Sequence, residues 1–242
     1  MKQPDTFDAD AFVILKQAEK NYFWFDIRRK WIFDTISRFV SPPAKILEVG
    51  CGTGYVSSYL AHKGYVVTGC EYYGEALNLA WPGFEKVQGD AVNLPFDDNT
   101  FDVVCLFDVI EHFQEDLLLL KEAKRVLKKN GIIALTVPAM EELWSYIDEE
   151  AHHKRRYTKV ALGNVLSKAG LSPLTMRYLF MSLYFPMKYL RSRKKRWGVE
   201  DFRINPMVNR FMKLLFHTER KISKYCPLPL GTSLITIAKR EP

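Results

Sequence analysis

The stretch Ala44-Lys-Ile-Leu-Glu-Val-Gly-Cys-Gly-Thr-Gly54, running on into Tyr55, decides how this 242-residue chain is read. Residues 44–49 form a short apolar strand. Gly50, Cys51, Gly52, Thr53 and Gly54 then make a turn, and residues 55–63 return to a helix that Gly64 stops. Alternating glycines strip side chains from the turn, so a ligand can press against bare backbone. The helix behind it offers unpaired N–H groups and a partial positive charge. Alone such a turn is a weak signal, and its weight comes from what surrounds it.

Outward from the turn, apolar runs predict further strands at 65–70, 84–88, 101–107 and 132–137. Helical spacing predicts helices at 8–20, 22–40, 76–80 and 115–127, with Lys128 to Gly131 closing the last of them. Beyond residue 150, Thr158 caps a helix that runs to Ala169. A sixth strand is expected at 171–178 and a last one at 232–238. Strands alternating with helices at this spacing mean parallel β-α-β units, and their near-continuous apolar character fits burial on both faces. The expected fold class is α/β. It is a doubly wound, mostly parallel seven-stranded sheet with the last strand antiparallel, helices on both faces, and a helical insertion before the last strand. Ligands of such sheets sit at the carboxyl ends of the strands.

Acidic residues stand at those ends. Glu71 closes the second strand, where a carboxylate can accept hydrogen bonds from both hydroxyls of a ribose. Asp90 closes the third, where an acceptor suits an exocyclic amine. Asp108 to His112 closes the fourth, next to the expected reversal of strand order. Four strand ends converging on one crevice point to a nucleoside pocket.

On these residues the sequence resembles the S-adenosylmethionine-dependent methyltransferases with a Rossmann-like fold. The resemblance rests on residues 46–54 (ILEVGCGTG), Glu71, 89–91 (GDA), 101–112 (FDVVCLFDVIEH), 126–131 (VLKKNG) and 234–240 (LITIAKR). It is similar in particular to the small-molecule branch called type 11 or type 12, through Tyr22-Phe-Trp-Phe25 and His153-Lys-Arg-Arg-Tyr157. The resemblance implies S-adenosylmethionine as cofactor, with S-adenosylhomocysteine as product. Glu48 with Gly50, Cys51 and Gly52 would hold its methionine part, and Glu71 its ribose. Tyr72, Asp90 and Ala91 would meet the adenine, while Phe107 and Asp108 would line the methionine side. The thiol of Cys51 is assigned no chemistry. Transfer to the acceptor is then an in-line displacement in which positioning supplies much of the acceleration.

Candidate catalytic bases are His112 and His153, with His152 a weaker candidate, because imidazole titrates near neutral pH. Arg155, Arg156 and Tyr157 could orient an anionic substrate, since Arg binds carboxylate or phosphate through two parallel hydrogen bonds. Arg28, one turn after Trp24, could reach the cofactor carboxylate. The run Tyr22 to Phe25 reads chiefly as packing on the sheet, with a lid over the cofactor as its alternative.

Composition sets the remaining bounds. The hydrophobic fraction is 48% and the charged fraction 26%, which excludes disordered, collagen-like and disulfide-stapled classes. Cys51, Cys70, Cys105 and Cys226 are scattered without a CxxC pair, and no ligand spacing points to a metal. The start of the chain lacks a signal-peptide pattern and no run is apolar enough to span a bilayer, so a cytoplasmic location is expected. Residues 1–150 carry a net −9, whereas residues 151–242 carry +16. Such asymmetry marks different tasks for the two parts, and the resemblance implies N-terminal lid helices over 1–43 and a methyltransferase domain over 44–181 and 231–242. The basic insertion at 182–230 would serve the substrate or an anionic membrane surface. Nucleic acid is the weaker partner. Two rivals stay open here: an NAD(P)-dependent oxidoreductase, though Tyr55 fills the place of the third glycine in its G-x-G-x-x-G pattern, and a non-catalytic binding protein that keeps the cofactor fold.

Overall fold

A computed structural model describes residues 9–191 and 204–241. Seven strands form one sheet: β1 (Lys45–Val49), β2 (Val66–Glu71), β3 (Glu85–Gln88), β4 (Phe101–Phe107), β5 (Leu127–Pro138), β6 (Leu171–Leu179) and β7 (Ser233–Arg240). Their order is β3-β2-β1-β4-β5-β7-β6. β1 to β5 pair in parallel, while β7 inserts antiparallel between β5 and β6. The chain leaves β1 toward β2 on one side, and β4 joins β1 on the other. The crevice therefore opens at the carboxyl ends of β1 and β4, where strand order reverses.

The sheet is apolar on both faces because both are covered. One face packs under α5 (Asp116–Val126) and α7 (Lys159–Lys168), through Leu119, Leu120, Ala123, Leu162 and Leu166. The other packs under α2 (Phe23–Ile36), α3 (Tyr55–His62) and α9 (Pro206–Ile222), through Ile27, Trp31, Ile32, Leu60 and Phe216. Two elements depart from expectation. The segment after α5 runs directly into β5 instead of closing the helix with a turn. Leu127 pairs with Phe101, the register then shifts, and Ile132 resumes opposite Val103. Gly131 makes this possible, since a Cβ there would meet the Leu127 side chain at 2.5 Å and the Asp102 carbonyl at 2.9 Å. The second helix also ends earlier than expected, at Ile36, followed by a turn.

The N-terminal helices α1 (Ala9–Asn21) and α2 are tied to the C-terminal part of the chain. Asn209 of α9 accepts from the Phe23 N–H at 2.9 Å and donates to the Asn21 carbonyl at 2.6 Å, bridging the break between α1 and α2. Of the four aromatics in that run, Phe23 stacks on Phe216 and Trp24 on Phe180, whereas Phe25 meets Tyr55 edge-on. These three serve packing. In the insertion, α8 (Met181–Arg191) is capped by Glu219 of α9, which accepts from the N–H groups of Met181 and Ser182 at 2.8 and 2.9 Å. Most of the basic run Arg191 to Trp197 lies outside the described residues. No helix among the described residues is long and apolar enough to cross a membrane.

Candidate active site

The loop after β1 has backbone that only glycine adopts readily. Gly50, Gly52 and Gly54 take φ of +67°, +55° and +70°. Gly54 also has no room for a side chain, because a Cβ would lie 2.1 Å from Phe84. Next to this loop a cleft is lined by Gly50, Glu71, Tyr72, Ala91, Asp108 and His112, with apolar walls from Phe12, Val109 and Phe113. Six of the residues singled out in the sequence thus share one cavity.

Glu71 is buried, yet its carboxylate is held by three backbone donors. Gly52 N–H reaches Oε2 at 2.7 Å, and the N–H groups of Tyr72 and Tyr73 reach Oε1 at 2.8 and 3.1 Å. A carboxylate offers about four lone-pair sites, so the oxygens are fixed in place and retain capacity for a ligand hydroxyl. Burial pushes its pKa up while the three amides pull it down.

Apart from Asp108, which lines the cleft, the remaining cofactor candidates stand around this cavity rather than in its wall. Glu48 is buried behind the loop, where Ser57 donates to it, and burial lifts its pKa to about 7. Cys51 is buried as well, and burial raises its thiol well above the ordinary range, so it stays a neutral thiol. Asp90 accepts from the Val92 N–H at 3.0 Å in a tight turn beside Ala91. Phe107 packs on the other face of the sheet, under the guanidinium of Arg28 at 5.9 Å. Asp108, at φ +58°, takes a salt bridge from Arg28 at 2.5 Å. Arg28 also donates to Thr136 at 3.1 Å, so one guanidinium ties α2 to the ends of β4 and β5.

His112 ends a 3-10 turn after β4 (Ile110–His112), and its ring centroid lies 4.8 Å from that of His153. Burial, with His153 second, lowers its pKa to about 4, so it is neutral at pH 7. His153 is oriented by Asp148, whose Oδ1 lies 3.0 Å from Nδ1. Arg155, Arg156 and Tyr157 come close by but are engaged within the chain. Arg155 pairs with Asp116 at 3.1 Å, Tyr157 donates to the same carboxylate at 2.9 Å, and Arg156 pairs with Asp148 at 2.7 Å. None of the three lines the cleft.

Sequence reading expected lid helices over 1–43 but did not name the α1 residues that meet the cleft. Phe12 of α1 closes over the cleft against Tyr73, and buried Glu19 accepts from Thr53 of the glycine loop and from Trp81. Helical spacing showed that α1 is a helix; where it docks depends on contacts with residues some 30 to 60 positions away. It also missed Glu111, buried beside His112, because a single acidic residue in an apolar run carries no spacing signal.

The methyltransferase-domain family matches residues 47–135 of this chain. A demethylmenaquinone methyltransferase of Chlorobaculum tepidum is 31% identical over 201 residues, covering 81% of this chain and 73% of that protein. A human protein described as a tRNA methyltransferase is 39% identical over 106 residues, but those span only 23% of its length. Among solved structures, a chain of the Haloferax volcanii complex between a methyltransferase activator and a methyltransferase superposes with a TM-score of 0.65 at 17% identity. That match covers 98% of this chain and 99% of that one. A methyltransferase from Archaeoglobus fulgidus gives 0.60 at 18% identity, over 89% and 94%. With the strand order, the glycine loop and the acidic strand ends in one crevice, this chain belongs to the S-adenosylmethionine-dependent methyltransferases with a Rossmann-like fold.

Proposed function

We propose that the chain binds S-adenosylmethionine in the cleft at the ends of β1 to β4 and methylates a small, amphiphilic or anionic acceptor. That acceptor would enter at the His112 and His153 end. The observation that carries the reading is Glu71, a carboxylate pinned by three amides in the wall of a cleft that also holds Gly50 and Asp108. The residues fit the group: bare backbone at the glycines, a carboxylate with spare lone pairs for the ribose, and apolar and aromatic walls at Tyr72, Ala91, Val109 and Phe113 for a base. Bound there, the cofactor supplies a methyl group already activated on a positive sulfur. Gly50, Cys51, Gly52 and Asp108 would hold its methionine end, with Glu48 and Phe107 supporting them from behind. Asp90 would flank the adenine, and His112 and His153 would activate the acceptor. Arg155, Arg156 and Tyr157 would shape the acceptor end through the contacts they make with Asp116 and Asp148. Residues 1–43 would act as the cover. Demethylmenaquinone, the compound in the name of the Chlorobaculum relative, is the first acceptor to assay.

Calorimetry with S-adenosylmethionine, S-adenosylhomocysteine and NAD on one sample tests the assignment. The first two should bind and NAD should not. Glu71→Ala should weaken donor binding by about 1–3 kcal/mol, the scale of hydrogen bonds to a charged group. Unchanged affinity in that variant would mean the ribose lies elsewhere.

A membrane-surface role for residues 182–230 is supported by α9. Its inner face is taken by Phe216 and Glu219, yet its outer face presents a second apolar stripe of Met207, Phe211 and Leu214, each more than 60% exposed. Arg210, Lys213 and His217 run alongside. An apolar stripe flanked by cations suits the interface of an anionic bilayer. The protein should sediment with phosphatidylglycerol vesicles, less so as salt rises, and hardly at all with phosphatidylcholine. The double variant Phe211→Ser, Leu214→Ser should lose most of this binding. Absence of sedimentation at low salt removes the membrane role.

A further inference from the structure

Next to His112, behind the wall of the cleft, lies a buried carboxyl group that the fold leaves without hydrogen-bond donors. Glu111 is 0% exposed, and neither of its carboxylate oxygens meets a hydrogen-bond donor. Buried carboxylates are ordinarily paired, hydrogen-bonded or bound to a metal. Glu111 precedes His112 on the 3-10 turn, and the loop after α6 (Tyr146–Glu150) brings His153 against both. One oxygen of Glu111 and one ring nitrogen from each histidine lie within 4.8 Å of one another.

The second histidine is built for a fixed orientation. Its Nδ1 faces Asp148, which is 0% exposed and is clamped by Arg156 at 2.7 Å and by the Ser145 N–H at 2.9 Å. A carboxylate behind an imidazole fixes its tautomer and leaves a lone pair on the other nitrogen, the usual support behind a metal-bound histidine. Two imidazoles and one carboxylate are a donor set for divalent transition metals that leaves positions open to a ligand. Metal bonds of about 2.1 Å in a tetrahedral site put ligand atoms about 3.4 Å apart. Closing the set from 4.8 Å therefore takes a shift of a little over about 1 Å, within reach of side-chain rotation.

We propose that Glu111, His112 and His153 form a binding site for a divalent transition-metal cation of the Zn²⁺ or Mn²⁺ type, opening into the cleft through His112. The site deepens the methyl-transfer reading and rests on it for its role, because an acceptor oxygen at an open position would release its proton to solvent more readily. The acceptor class is then a hydroxylated molecule that presents oxygen to the cation. The two histidines activate it by holding the ion rather than by taking the proton.

Untagged full-length protein, stripped with a chelator, can be titrated with ZnCl₂ and with MnCl₂ by calorimetry, and separately with S-adenosylhomocysteine. The expected result is one ion per chain at micromolar Kd or tighter, weakened at least tenfold in Glu111→Gln and in His153→Ala. Circular dichroism of each variant checks that it is folded, and the wild-type titration stands whether or not a variant folds. No uptake of either ion by wild type overturns the site. So does uptake that is equally tight in the folded variants, since the ion then sits elsewhere. Failure to bind S-adenosylhomocysteine with the metal still taken up would count against the methyl-transfer reading and leave the site itself standing.

Discussion

Asp148→Ala is expected to destabilise the protein by about 3–5 kcal/mol, the cost of breaking a buried ion pair by removing one partner. Asp148 is fully buried and its partner Arg156 nearly so, with side chains 0% and 4% exposed. The carboxylate accepts from Arg156 Nε at 2.8 Å and Nη2 at 2.7 Å, and from the Ser145 backbone at 2.9 Å at the start of α6. Deleting it leaves the Arg156 guanidinium buried, donating to the neutral Ala139 carbonyl at 2.9 Å. It also removes the capping box of α6 and the orienting contact of His153. Urea unfolding monitored by tryptophan fluorescence reads the loss. A change under about 1 kcal/mol would mean that water reaches Arg156 and that the pair is less enclosed than its geometry implies.

Glu48 should make stability fall as pH rises. Burial outweighs the Ser57 hydrogen bond and lifts its folded-state pKa from 4.5 to about 7. Between those values the folded chain keeps a proton that the unfolded chain has released, so the native state binds more protons than the unfolded state. Stability from this group is then complete below about pH 4.5 and is lost as pH climbs through about 7. The span corresponds to about 3 kcal/mol. Glu48→Gln keeps the shape and can still accept from Ser57, but it does not titrate. Melting temperatures of the two proteins, compared from pH 4.5 to 8, should diverge in favour of the variant by several degrees at the alkaline end. Parallel curves across that range would show that Glu48 ionises in the folded protein as freely as in the unfolded one.

Much of the fold could be read from local pattern, and the reason lies in how these elements are stabilised. Strands β1, β2 and β4 are buried on both faces, so their sequences are continuous apolar runs with little else they could be. The glycines at 50, 52 and 54 announce a turn because their φ values exclude most other residues. The reading failed at residues 128–131, where β5 begins before its apolar run. There a register shift and the crowding around Gly131 decide, and neither leaves a periodic trace.

The site divides in the same way. Gly50, Glu71, Tyr72, Ala91, Asp108 and His112 line one cleft because each closes or follows a strand, and parallel strands in a known order carry their ends to one edge. Sequence by itself therefore determined the sheet, the crevice and most of the residues that line it. Only tertiary structure decided which charged groups face one another. Arg28 meets Asp108 across 80 positions, Arg155 and Tyr157 share Asp116 from 39 and 41 positions away, and Glu111 comes near His153 with no hydrogen-bond donor on its carboxyl oxygens. A side chain's role follows from the dielectric and the partners around it, and those are properties of the packed molecule that no spacing along the chain encodes.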